Sequence, residues 1–180
     1  MKDSLKLPHI PTITRHLAAN ARMLEKFYAG LSDQEARRRP EPQRWSALEI
    51  LRHLIDEEGE DFRTRIEYTL NRPGETWPPI DPEGWVTERK YNEQNLTDSF
   101  ETFLEERQHS ILWIEELTQS GGVKWDTPYE HPKLGAITAR ELLASWLAHD
   151  YLHMRQLMKL EYDRIESITG VADTPYAGSW

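Results

Sequence analysis

Four long stretches of this chain space their apolar residues three and four apart, and no stretch alternates apolar with polar over the length of a strand. A stretch of that kind is a helix with one apolar side, and the side must bury against another element. The first covers 11–31. Pro11 suits a first helical turn, and Ile13, Leu17, Asn20, Leu24, Phe27 and Leu31 follow the spacing of a core stripe. The second, 46–71, opens on a capping box made by Ser46 and Glu49. It carries two adjacent stripes, one of Leu48, Leu51, Ile55, Phe62, Ile66 and Leu70, the other of Ile50, His53, Leu54 and Glu57, so it touches two neighbours. The third, 96–118, is apolar through Leu96, Phe100, Phe103, Leu104, Ile111, Ile114 and Leu117, and Gly121-Gly122 stops it. The fourth, 138–161, opens on a second box, Thr138 with Glu141. Its stripe is Leu142, Trp146, His149, His153, Gln156 and Leu160.

This pattern predicts an all-α four-helix bundle with long inter-helix loops, in a single domain over 1–180. No strands are expected. Residues 32–44 are a polar connection. Residues 71–94 form the longest loop, rich in Pro and Gly, whose Trp77 and Trp85 either cap one end of the core or line a substrate cavity. A second loop, 123–136, carries Trp125, Tyr129, His131 and Pro132. The polar tail 163–180 ends Tyr176-Ala-Gly-Ser-Trp180, aromatic enough to dock on the body.

The chain of 180 residues contains no cysteine, which excludes a disulfide scaffold, a thiolate metal site and a cysteine nucleophile. The N-terminal Met1-Lys-Asp-Ser-Leu-Lys6 has no apolar run after its charges and does not resemble a signal peptide. No apolar run approaches the ~18 residues of a membrane span. The expected compartment is the cytoplasm. Acidic residues outnumber basic ones, 31 to 22, for a net charge of −9. That balance disfavours nucleic acid or an anionic membrane as partner and leaves a small-molecule substrate. Arg37-Arg38-Arg39 is the one short basic run and reads as a solvated turn.

His149 and His153 stand four apart on the inward stripe of the fourth helix, so both imidazoles leave the same face one turn apart. Two such rings can grip one metal ion, and burying them without a partner would strand polar nitrogens. His53, inward on the second helix, is the candidate third ligand. Three neutral nitrogen ligands suit Zn, Ni, Co or Fe(II), and three protein ligands with a vacant position is the catalytic pattern. Glu57, four residues after His53, is either a partly exposed helix acid or a candidate fourth ligand, hydrogen-bond acceptor for an imidazole N–H, or general base. Gln156, three after His153, is either a polar residue at the bundle edge or one that hydrogen-bonds into the site. Asp150 points about 100° away from His149, toward another helix or the surface. His9, His16, His109 and His131 read as surface or loop residues. Zincin chemistry fails because Asp150, not Glu, follows His149. A di-iron bundle fails because Glu106-Arg-Gln-His109 has no second copy.

Trp45-Ser-Ala-Leu-Glu-Ile-Leu-Arg-His53-Leu-Ile-Asp-Glu-Glu58 resembles the second-helix motif of the DinB/YfiT-like superfamily. His149-Asp-Tyr-Leu-His153-Met-Arg-Gln156 resembles its fourth-helix motif, and the order of one His followed about a hundred residues later by His-x₃-His also matches. The resemblance implies a bundle that binds one divalent metal, typically Zn or Ni, through His53, His149 and His153, and a homodimer. Relatives include transferases and isomerases that use the small thiols bacillithiol, mycothiol or glutathione, and others loosely called metal-dependent hydrolases. The function expected is activation of a thiol or water for attack on a small electrophile, in a transferase-like or hydrolase reaction. The competing expectation is a non-catalytic, stress-related module in which the ion only braces the bundle.

Overall fold

The computed structural model describes residues 10–133, 135–178 and 180. Met1-Lys-Asp-Ser-Leu-Lys6, on which the leader reading rests, and His9 lie outside the described residues. Four long helical rods make the body: α1 (Ile10–Tyr28), a second rod of three parts, α6 (Leu96–Ser120) and α7 (Ala139–Tyr162). Short helices fill two of the connections, α2 (Asp33–Ala36) and α5 (Pro82–Glu88), and a third, α8 (Ile165–Thr169), lies in the tail after α7.

The second rod is not one continuous α-helix. It runs as α3 (Ala47–Asp56), a π-helical segment (Glu57–Arg63) and α4 (Thr64–Asn71). A π turn spaces its hydrogen bonds five residues apart and leaves an α-helix's carbonyls short of partners. Thr64 answers this locally, its hydroxyl donating to Gly59 O at 2.7 Å. A Cβ at Gly59 would meet Arg63 Nη2 at 2.8 Å, so a larger residue there would make the Arg63 side chain shift from the path by which it reaches Ser110 and the Glu106 carbonyl at 3.0 and 3.1 Å.

The apolar residues gather in two clusters stacked along the bundle. One joins Leu24 and Tyr28 of α1, Leu48 and Leu51 of α3, Phe103 of α6 and Leu157 of α7. The other joins Ile13 and Leu17 of α1, Phe62 and Ile66, Ile114 of α6 and Leu142 and Trp146 of α7. Their order along each rod gives the directions. α1 and α7 run one way, and the second rod and α6 run the other. The second rod and α6 are thus parallel, so the chain between them must travel back the length of the bundle. That is the physical reason for the long connection 72–95. It spends the distance on α5 and a 3₁₀ turn at Tyr91–Glu93, packed through Trp85, Val86 and Tyr91. Trp77 and Trp85 are both buried, Trp77 stacked on Tyr129 at 4.8 Å, so both close core rather than open a cavity.

Two segments differ from the sequence reading. Pro128–His131 and Gly135–Thr138 pair as an antiparallel hairpin, Tyr129 opposite Ile137, where only a loop was expected. Each strand has four residues, too short for alternation to register, and Tyr129 is buried by its stacking on Trp77. The Arg37–Arg39 run is not simply solvated. Arg37 pairs with Asp33 at 2.7 Å, and Arg39 Nε grips buried Glu49 at 2.9 and 3.1 Å. In the tail, the Trp180 ring lies 5.2 Å from Tyr162, while Tyr176 is fully exposed. No helix among the described residues is long and apolar enough to cross a membrane.

Candidate metal centre

His53 reaches its place through the start of α3. Ser46 caps it, accepting from Glu49 N while Glu49 accepts from Ser46 N at 2.8 Å, and the Ser46 hydroxyl donates to Asn92 at 2.8 Å. With its first turn held by the cap, by Asn92 and by Arg39, α3 points His53 inward, 4 % exposed. α7 starts at the equivalent Thr138 box and brings His149 and His153 to the same level, both partly exposed. The register that spacing alone left open is therefore closed: His53 Nε2 lies 3.2 Å from His149 Nε2, which lies 3.1 Å from His153 Nε2. Candidate ligand atoms of all three fall within 4.8 Å of one another.

The orientation of the rings is as telling as their distance. Each ring turns Nε2 toward the others and Nδ1 away. The Nδ1 of His153 meets Gln156 Oε1 at 3.0 Å, and that of His53 faces Glu57 Oε1 at 3.7 Å. With the proton on Nδ1, as the Gln156 contact requires of His153, an Nε2 lone pair points into the shared space, and lone pairs so placed repel unless a cation stands between them. Tetrahedral zinc with Zn–N bonds of about 2.0–2.1 Å would separate its nitrogens by about 3.3 Å. The spacings of 3.2 and 3.1 Å fit that ion.

Burial keeps these rings neutral and ready to donate. It drives His53 down to about 2, helped by His153 and His149, and His149 down to about 4, helped by His153. His153 is lowered by burial too, against the pull of Gln156. Burial has the opposite effect on Glu57, lifting its carboxyl to about 7, with Arg65 opposing and Asp56 and Glu60 adding. Glu57 is 4 % exposed, and both its Oε1 and His53 Nδ1 lack a hydrogen-bond partner. These two orphaned atoms face each other.

Aromatic rings wall the site. Trp45 lies 5.0 Å from His53 and parallel to His153 at 6.4 Å. Phe62 stacks on Trp146 at 5.1 Å and meets the edge of His149 at 5.3 Å. Exposed Leu152 sits between His149 and Gln156 on the helix surface.

The structure thus brings together His53, His149, His153, Glu57 and Gln156. Asp150, which the sequence left between another helix and the surface, turns fully into the core, where Arg107 Nη2 meets it at 2.7 Å. His131 lies on the hairpin with its ring 4.8 Å from Trp77, and His16 lies beside the Tyr151 hydroxyl at 3.3 Å. Three residues escaped the sequence reading: Trp45, Glu58 and Arg107. A signal existed for Arg107, because the third helix's stripe has a gap between Leu104 and Ile111 that falls on an inward position.

Fold and site together define a four-helix bundle with a three-histidine cluster able to hold a divalent metal. The chain belongs to the DinB superfamily, whose family model matches residues 16–157. No curated protein matches its sequence. Among solved structures it is similar to YfiT from Bacillus subtilis, described as a probable metal-dependent hydrolase with an unusual four-helix bundle topology. The TM-score is 0.74 over 96% of this chain and 94% of that one, at 15% identity, a likeness of fold.

Proposed function

We propose that His53, His149 and His153 bind one divalent metal ion, zinc or nickel, through Nε2, and that the site activates water or a small thiol for attack on a small electrophilic substrate. The observation that carries the reading is the convergence of three neutral Nε2 atoms while two of the three rings stay partly open to solvent. A divalent ion so held supplies Lewis acidity, polarising a substrate oxygen or lowering the pKa of a water or thiol. Since the chain has no cysteine, any attacking thiol comes from a separate small molecule.

The chain's own groups take distinct parts. Gln156 Oε1 accepts from His153 Nδ1–H and fixes that ring's tautomer. Glu57 lies behind His53, at the ring edge away from the converging nitrogens. That position suits an acceptor that orients His53 better than a fourth ligand or a base acting on substrate. Trp45 and Phe62 offer flat apolar walls for a small substrate. The same family reading includes a homodimer.

Elemental analysis of the untagged protein beside His53→Ala, His149→Ala and His153→Ala tests the site. The expected result is close to one metal per wild-type chain and loss of most of it in each variant. Full metal in all three variants would remove the site.

A further inference from the structure

Beneath the triad lies a second set of charges that the proposed chemistry does not use. Arg107 on α6, Glu58 in the π segment and Asp150 on α7 are each 1 % exposed. Arg107 Nε donates to Glu58 Oε1 at 2.8 Å, and Nη1 and Nη2 grip the two oxygens of Asp150 at 2.8 and 2.7 Å. Nη1 also donates to Leu17 O at 3.1 Å, and Asn20 donates to Asp150 at 2.9 Å. Glu58 accepts further from Ser110 at 2.6 Å and from Trp146 Nε1 at 3.2 Å. Burial works against the Arg107 charge, yet Glu58 and Asp150 together hold its pKa above the ordinary value.

The network has one member or more on every rod of the bundle. Its two carboxylates stand next to the proposed ligands in sequence: Glu58 five residues after His53, Asp150 one residue after His149. In a regular α-helix the fifth residue points about 140° away from the first. Glu58 falls instead on the face of Leu54 and Leu51, four and seven residues before it and both buried, so it enters the core where the guanidinium reaches it. One rigid fork thus spans both helices that carry histidines, and only an arginine offers that geometry to two carboxylates. The triad needs His53 and His149 nitrogens held near 3.2 Å across two separate rods.

We propose that Arg107 is a positioning residue for the metal site: by bracing Glu58 and Asp150 it sets the spacing between the His53 rod and the His149 rod. This rests on the metal reading above. Groups hydrogen-bonded directly to metal ligands change metal affinity by about 10–100-fold when removed, and Arg107 acts one step further out, through the rods that carry the ligands. The two carboxylates against one guanidinium also leave one formal negative charge under the triad, which favours a cation there.

The test is titration of metal-free protein with Co(II), followed by its visible absorption bands. Wild type and His149→Ala come first: if wild type binds no Co(II), or His149→Ala binds it equally, the metal reading itself fails. Given binding, Arg107→Lys keeps the charge but loses the fork. It should weaken Co(II) about tenfold or more and shift the bands at saturation. Tyr28→Phe, which removes the buried hydroxyl's bond to Ala47 O (2.9 Å) away from the network, should lower the melting temperature and leave the Co(II) affinity and bands unchanged. Should Arg107→Lys fail to fold, the variant carrying Arg107→Met, Glu58→Gln and Asp150→Asn together replaces the network with neutral groups of similar size and decides the matter. Wild-type affinity and bands in Arg107→Lys, or in the triple variant, would overturn the proposal.

Discussion

Each imidazole of the triad is held neutral by burial, and that has a consequence for stability. In the unfolded chain a histidine titrates near 6.5, whereas the folded, metal-free protein holds His53 at about 2 and His149 at about 4, and lowers His153 as well. As pH falls through 6.5 the unfolded chain gains protons that the folded chain refuses, so this contribution is complete above 6.5 and is lost on the way toward about 4 for His149 and about 2 for His53. Glu57 acts with the opposite sign. Its carboxyl is raised from 4.5 to about 7, so its contribution is complete below 4.5 and is lost as pH rises through 7. Between 4.5 and 6.5 three histidines outweigh one carboxyl. The melting temperature of the metal-free protein should therefore fall as pH is lowered across that window, measured by circular dichroism. A flat or rising curve would contradict the burial of the triad. The histidines were legible in the sequence because the spacing of His149 and His153 places both on a stripe already known to face inward. The inward position of Arg107 was legible as a gap in its stripe, but its role and that of Glu58 were not, because a charge inside a long helix resembles any solvent-facing charge until its partners are placed.

The helix starts were legible at the scale of elements, since Ser46 and Thr138 announce them with capping boxes that the structure reproduces. A third box, Ser32 with Glu35, starts the four-residue α2 and passed unnoticed inside a polar connection. The π segment was not legible. Its register shift depends on which side chains find partners across the bundle, and the one local hint is Gly59 within Asp56-Glu-Glu-Gly-Glu-Asp61. The buried box at Ser46 and the exposed one at Ser32 should differ in weight. Ser46→Ala should cost about 1–2 kcal/mol, because it strips a cap and leaves buried groups without partners. Ser32→Ala, on a short exposed turn, should cost less, about 0.5 kcal/mol. Urea denaturation of both variants measures the difference, and equal losses would show that the α3 cap carries no special burden. Thr64→Val tests the π segment in the same way. Losing the bond to Gly59 O should cost about 1 kcal/mol.

Across the whole molecule the two apolar clusters lie on either side of a polar waist that holds the triad and the Arg107 network. The fold class and four rods followed from periodicity. Their directions did not, because apolar stripes look alike whichever way a helix runs. The long connection 72–95 is explained only once the second rod and α6 are seen to be parallel. Since both clusters are complete without an ion, chelation should leave the helical signal and a cooperative melt. The expected loss is only the binding term, about 2.7 kcal/mol at a free metal concentration one hundred times Kd. Unfolding on chelation would instead favour an ion that braces the bundle.

The central claim is that three imidazoles hold one ion and leave it a further position. X-ray absorption at the metal edge of untagged wild-type protein tests it directly. For zinc, the account predicts three imidazole nitrogens at about 2.0–2.1 Å and at least one light-atom ligand that exchanges when an added anion or thiol is supplied. A spectrum with fewer than three imidazoles, or with a closed set of protein ligands indifferent to added ligand, would contradict it.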